Sequence, residues 1–120
     1  MDDAVQHFES KLTHETDASD LNEMIEAGER VIVIDARSAA TYREEHIPAA
    51  INVPHREMSE VTTASFDRDA LYVTYCDGIG CNASTKGALN MSKLGFRVKE
   101  LIGGIAWWKR DGYPVSSVER

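Results

Sequence analysis

The sequence holds two cysteines, Cys76 and Cys81, with four residues between them, both in the segment Cys76-Asp-Gly-Ile-Gly-Cys-Asn82. Cys76 follows the run Leu71-Tyr-Val-Thr-Tyr75, and a helical pattern opens at Ala83. A helix N-terminus presents unpaired N–H groups and a partial positive charge. Gly78 and Gly80 let the intervening backbone curl so that several amides face inward as an anion nest. Such a nest lowers the pKa of a thiol at its centre by favouring the thiolate, which is the nucleophilic form. The pattern therefore points to covalent catalysis at sulfur by Cys76. Asp77 acts the other way, since a neighbouring carboxylate raises a thiol pKa, and it is expected to point to solvent. Cys81 has two readings. It is a small residue filling the loop, or a resolving thiol that attacks a Cys76 persulfide or sulfenic acid and forms a disulfide. The spacing alone is a weaker redox signal than Cys-x-x-Cys.

A second chemical group is Asp35-Ala-Arg37, at the end of Val31-Ile-Val-Ile34. These charges are expected to pair behind the cysteine loop and to hydrogen-bond nearby loops. The alternative is direct donor binding by Arg37. His7, His14, His46 and His55 are scattered, and with two thiols they make no convincing four-ligand set, so no metal is expected. His46 reads as a structural histidine satisfying backbone groups around the turn at Pro48, and His55 as an exposed loop residue or one lining the site.

Elements must position these groups. Residues 1–13 read as an amphipathic helix, with Val5, Phe8 and Leu12 at helical spacing. Asp20-Leu-Asn-Glu23 reads as an N-cap with an acidic partner, followed by Leu21, Met24 and Ile25 on one face and Gly28 as the stop. Four consecutive β-branched residues, Val31 to Ile34, demand cover on both faces, the habit of a parallel strand between helices. Ser38 caps a helix through about Glu45, and Ala50 to Val53 is a short strand. The stretch 55–70 is a loop with some helix, and Leu71 to Tyr75 a strand. Ala83 to Leu94 is a helix packed through Ala88, Leu89 and Met91, with Gly95 as stop. Val98 to Ile102 is a last strand, Gly103-Gly104 a turn, and Ile105 to Arg110 a closing helix. Trp107 and Trp108 read as one core ring and one partly exposed ring, the latter a docking point for a partner on the sharper reading. Alternating strands and helices give an α/β class with a mainly parallel sheet, whose ligands sit beyond the carboxyl ends of the strands.

The chain has 120 residues, 42% of them hydrophobic and 28% charged, which suits one soluble domain. Its net charge is −7, against nucleic acid or an anionic membrane as the main partner. No apolar run approaches the roughly 18 residues of a membrane span. The acidic start MDDAVQHFES does not read as a signal peptide. Two cysteines exclude a disulfide scaffold and point to the cytoplasm.

The motifs together resemble a single-domain rhodanese, the sulfurtransferase family whose cysteine carries a persulfide. Asp35-Ala-Arg37 resembles the family's Asp-x-Arg. Tyr42 followed by His46-Ile-Pro-Ala-Ala-Ile-Asn52 resembles its aromatic residue and Gly-His-Ile-Pro-Gly-Ala-Ile-Asn run, with Glu45 and Ala49 where glycines are usual. Tyr75-Cys76 resembles the strand end bearing the active cysteine. Leu94-Gly95-Phe96 and Gly103-Gly104 with Trp108 resemble the closing signatures.

The resemblance implies a three-layer α/β fold with a central five-stranded, mainly parallel sheet flanked by helices. Residues 19–120 would form the domain, with 1–18 a helical extension packed on it. It implies Cys76 as the catalytic sulfur carrier, with Asp77, Gly78, Ile79, Gly80, Cys81 and Asn82 binding substrate and Asp35 and Arg37 supporting them. The donor would be thiosulfate, a polysulfide or a persulfide, including one borne by a carrier protein, and the acceptor cyanide or a thiol. Loop amides would hold the terminal sulfur anion, so neither metal nor organic cofactor is implied. The loop departs from the family, in which a basic residue or Thr often stands fifth after the cysteine; here that place holds Cys81. Asn82 stands where phosphatase and arsenate-reductase relatives of Cys-x5-Arg carry arginine, and it offers no bidentate oxyanion contact. Two alternatives from other classes are a thiol redox switch built on Cys76 and Cys81, and a non-catalytic binding module of the same fold.

Overall fold

The computed structural model describes residues 2–118. Helix α1 (Asp3–His14) leads into β1 (Glu15–Thr16), α2 (Ala18–Glu26), β2 (Val31–Asp35), α3 (Ala39–Glu44) and β3 (Ile51–Asn52). A 3-10 turn at His55–Glu57 and further turns precede β4 (Leu71–Tyr75), α4 (Ala83–Lys93), β5 (Arg97–Leu101) and α5 (Gly104–Arg110). The five strands pair in parallel in the order β1-β5-β4-β2-β3. Asp35 lies level with Tyr75, so the chain leaves β2 and β4 side by side. From there β2 connects outward to β3 and β4 outward to β5, in opposite directions. The crevice between their carboxyl ends is the switch point at which open parallel sheets bind ligands.

Both sheet faces are covered, as the β-branched run in β2 requires. Val33, Val73 and Tyr75 pack with Leu21, Ile105 and Trp108, whereas Ile34 and Tyr72 pack on the other face with Met91 and Phe96. The result is helix, sheet, helix in three layers. Among the described residues no helix is long and apolar enough to cross a membrane.

Several local expectations are corrected. Helix α2 begins one turn early: the Asp17 side chain, not Asp20, caps it, accepting from the Asp20 amide at 2.9 Å. The earlier start buries Ala18 along with Leu21. The stop is as the glycine implies, with Gly28 at φ 71° and its amide and that of Glu29 donating to Ile25 and Met24. Helix α4 packs through Ser84, Gly87 and Met91, while Leu89 is exposed. A Cβ at Gly87 would meet the Met58 Cε at 3.1 Å and the Ala36 Cβ at 3.2 Å; glycine lets α4 lie this close to the end of β2 without displacing either neighbour. Strand β1, two residues long, escapes sequence patterning because it has no room for periodicity. Helix α1 forms, but it does not pack its apolar face onto the domain. Val5, Phe8 and Leu12 are exposed and none of its residues is buried.

Gly103 and Gly104 take φ of 81° and 56°. A Cβ on Gly104 would overlap the Cys76 carbonyl. The close approach lets the first amides of α5 hold the chain after β4, Ile105 N donating to Cys76 O at 3.0 Å and Ala106 N to Asp77 O at 2.9 Å. Gly104→Ala is therefore expected to lower stability by more than about 2 kcal/mol, combining left-handed strain with the overlap. Urea denaturation measures it, and a loss under about 0.5 kcal/mol, the ordinary surface value, would show that the clamp is dispensable.

Candidate active site

Asp35 and Arg37 meet at the carboxyl end of β2, both buried. Arg37 Nε donates to Asp35 Oδ1 at 2.9 Å and Nη2 to Oδ2 at 2.7 Å, a bidentate pair. The same guanidinium donates to the Glu45 carbonyl at 2.6 Å and to Asp77 Oδ1 at 3.0 Å. With its donors so committed, Arg37 is a support for the loop, as the ion-pair expectation has it, and direct donor binding by Arg37 is not what this geometry offers. Burial alone would push the Arg37 pKa down; the hydrogen bonds that the guanidinium donates to Asp35 and Asp77 outweigh that and hold it above its ordinary value.

Two further residues complete the support, and both were missed as such in the sequence. Tyr75 is fully buried, and its hydroxyl donates to Asp35 Oδ2 at 2.9 Å while accepting from Ile47 N at 3.1 Å. Burial, then the Asp35 charge, raises the Tyr75 pKa, which keeps the phenol a donor. Asn52 Nδ2 donates to the carbonyls of Asp35 and Arg37 at 3.1 and 3.0 Å. A tyrosine at a strand end reads as core, and its hydroxyl's partner lies forty positions away, so no local pattern reports it. His46 fills its structural role, Nδ1 lying 2.8 Å from the Tyr42 carbonyl and the two rings stacking at 3.9 Å. Trp108 is buried and Trp107 half-buried, as expected of the pair. Among the described residues no buried side-chain nitrogen or oxygen lacks a partner.

Cys76 follows β4 directly and is 2% exposed. It is joined to Cys81 by a disulfide, with Cα atoms 6.1 Å apart. The loop between them folds back through Cys81 N donating to Gly78 O at 3.2 Å. That amide serves the turn, so it is not one of those expected to face Cys76. Asp77 is exposed, as expected, but it is also bound by Arg37, whose cation offsets the carboxylate's opposition to a thiolate. Asn82 caps α4 by position without a side-chain cap bond, which leaves the first-turn amides of this helix beside the loop.

Gly78, Ile79, Gly80, Cys81 and Asn82 all line one cleft of about 290 Å³; Cys76 and Asp77 do not. The far wall of the cleft bears Lys11, Glu15 and Glu100. Lys11 is paired with Glu15 at 2.9 Å. Glu100 is held by Ser84 Oγ at 2.7 Å and Thr85 Oγ1 at 2.6 Å. A second cleft, of about 340 Å³, is lined by Arg37, His55, Arg56 and Ala83 among others. Burial, then the charges of Lys86 and Arg56, lowers the His55 pKa. Cys76, Asp77 and Cys81 bring three donor atoms within 4.8 Å, one short of the usual zinc set, with both thiols in the disulfide.

Comparison with known proteins places the chain as a whole. A model of the rhodanese-like domain matches residues 17–111. The BH2092 protein of Bacillus halodurans is similar in structure, with TM-score 0.90 and 44% identity over 95% of this chain and 84% of that one. A protein named sulfurtransferase from Allochromatium vinosum is 28% identical over 90% of this chain and 99% of its own length. An HTH-type transcriptional regulator of Mycobacterium tuberculosis is 36% identical over 75% of this chain, which spans 39% of the regulator.

Removing one partner of a buried ion pair costs about 3–5 kcal/mol; Asp35→Ala is expected to lose that much in urea denaturation. Asp77→Ala, at an exposed carboxylate, is expected to lose no more than about 1 kcal/mol. Equal losses would contradict the unequal burial of the two acids. For Tyr75 the folded state keeps the phenol protonated, whereas the unfolded chain ionises near pH 10. Its contribution is thus present below about pH 10 and lost as pH rises above it. Tyr75→Phe should lower the unfolding free energy from urea denaturation at neutral pH by about 1–3 kcal/mol and flatten its alkaline decline. An unchanged alkaline limb would rule out this role.

Proposed function

The chain belongs to the rhodanese-like domain family, and we propose that it is a sulfurtransferase carrying one sulfane sulfur on Cys76. The observation that supports this most directly is the position of Cys76, at the end of the central strand, in the switch-point crevice, between the braced Asp35–Arg37 pair and the N-terminus of α4. In the dithiol form the α4 dipole and the remaining loop amides favour the Cys76 thiolate. The thiolate attacks the outer sulfur of a donor. A bond from thiolate to that sulfur forms, the donor's own bond to it breaks, and the donor leaves as an anion. The product is Cys76–S–S⁻, its terminal charge held by backbone N–H groups. A thiol or cyanide acceptor then attacks the terminal sulfur and Cys76 departs as thiolate, a ping-pong cycle. Neither step calls for a metal or organic cofactor.

The donor reading favours a neutral or protein-borne sulfur source, such as a carrier persulfide, over thiosulfate. Asn82 supplies no cation to the loop, and among the described residues the only lysine or arginine lining the adjoining cleft, Lys11, is already paired with Glu15. No such cation is needed for a donor that brings little charge or docks as a protein.

The test is intact-protein mass spectrometry after reduction, desalting and brief exposure to thiosulfate, tetrasulfide or glutathione persulfide. Reacted Cys81→Ser protein, which retains only Cys76, should gain the mass of one sulfur, and Cys76→Ser should gain none. Absence of any sulfur on Cys76 with all three donors would overturn the proposal. Asn82→Arg should raise kcat/KM for thiosulfate about tenfold or more, the worth of one charge-assisted hydrogen bond, with little change for the persulfide. No gain with thiosulfate would refute this account of donor choice.

A further inference from the structure

We propose that Cys81 is a second catalytic nucleophile, which discharges the Cys76 persulfide internally and makes the chain a dithiol-dependent releaser of hydrosulfide. The inference rests on the Cys76 persulfide reading and extends it.

Three observations carry it. The two sulfurs are within bonding reach, the loop being folded back by the Gly78–Cys81 turn. The ends of the loop are held unequally. Cys76 is fixed by β4 and by α5 through its carbonyl, whereas a Cβ at Gly80 would meet nothing within 4 Å. Finally, Cys76 is 2% exposed while Cys81 is partly exposed and lines the 290 Å³ cleft.

Bonding reach selects the sulfur attacked. Cys81 Sγ stands against Cys76 Sγ, the inner atom of a persulfide, and attack there has a good leaving group, since hydrosulfide is the anion of a stronger acid than an alkyl thiol. The Cys81 thiol passes its proton to the terminal sulfur of the persulfide anion, its sulfur forms the Cys76–Cys81 bond, the bond from Cys76 to the sulfane sulfur breaks, and that sulfur departs with the electron pair and the proton as HS⁻. The sulfane sulfur is reduced by two electrons and the two cysteines are oxidised by two. The closed form is the disulfide present in the structure. A dithiol reductant, of the kind that carries two vicinal thiols, then attacks the accessible Cys81 sulfur from the cleft. Cys76 leaves as thiolate, and the reductant's second thiol resolves the mixed disulfide. The cycle consumes one dithiol for each sulfur released.

The reaction separates from simple sulfur transfer in one anaerobic experiment. Reduced wild type, Cys81→Ser and Cys76→Ser are mixed with one equivalent of glutathione persulfide and quenched at intervals with an alkylating agent. Protein mass and hydrosulfide are read together, with Cys76→Ser as the blank. Wild type should pass through a species heavier by one sulfur and end lighter by two hydrogens, releasing one equivalent of hydrosulfide above the blank. Cys81→Ser should stop at the sulfur-bearing species and release none. Wild type kept without donor should stay a dithiol. If wild type and Cys81→Ser both stop at the persulfide, the resolving role falls and sulfur transfer stands. If Cys76→Ser takes the sulfur on Cys81, the roles are reversed and the proposal fails. If no variant gains sulfur, both readings fall together.

Discussion

The bidentate ion pair of Asp35 and Arg37 is the interaction on which the rest of the site depends. It joins segments that the chain brings from far apart. The carboxylate reaches β4 through the Tyr75 hydroxyl, and the guanidinium reaches the Glu45 carbonyl after α3 and the Asp77 side chain after β4. Asn52 at the end of β3 ties the backbone of both residues. A buried pair of this kind adds little net stability, because desolvation offsets the attraction. What it does here is geometric: each hydrogen bond has one partner and one direction, so the ends of three neighbouring parallel strands are held in a single arrangement. The cysteine emerges from β4, the one of the three that is also the central strand of the whole sheet.

That arrangement makes the loop asymmetric. The exit of β4 is clamped from below by the pair and from the side by the first amides of α5, which only the Gly103-Gly104 turn allows to come so near. Cys76 is therefore a fixed point. From Gly78 onward the backbone passes through two glycines before α4 takes over, and α4 is itself set close to β2 by Gly87. One sulfur clamped on two sides and one on a glycine-flanked segment are the arrangement that the proposed two-sulfur cycle would use. A rigid disulfide scaffold would immobilise both.

Much of this was legible in the sequence, and the exceptions have a common cause. Strand β4, the Ser38 cap, the Gly28 stop and the pairing of Asp35 with Arg37 rest on local signals: β-branched and aromatic runs, capping side chains, a left-handed glycine, opposite charges two residues apart. What escaped depends on contacts remote in sequence. The Tyr75 hydroxyl, the Cys76 carbonyl met by α5, and the close packing of Gly87 on Ala36 are all tertiary. The start of α2 shows the same thing on a small scale. Asp17 and Asp20 are equally able to cap, and burial of Ala18 decides between them. Helix α1 fails in the opposite sense: its periodicity is real, but periodicity reports that a helix has an apolar face, not that the domain covers it.

The acidic balance of the chain acquires a local meaning at the cleft beside Cys81. Lys11 and Glu15 satisfy one another, and Glu100 is spent on two hydroxyls of the first turn of α4. Glu100 also sits in β5 level with Thr74 of β4, and Thr74 Oγ1 donates to the Ser84 carbonyl at 3.0 Å. The first turn of α4 is thus fastened to the sheet through side chains rather than by an N-cap at Asn82. Fastening it this way leaves its amides pointed toward the loop, where a cap would have consumed one. The same carboxylate that secures the helix also adds negative charge to the wall facing Cys81, so an anion drawn by the amides is opposed by the cleft. Under the sulfurtransferase proposed above, the two effects together would select for a sulfur species whose charge arises only at the moment of transfer over one that must carry its charge through the entrance.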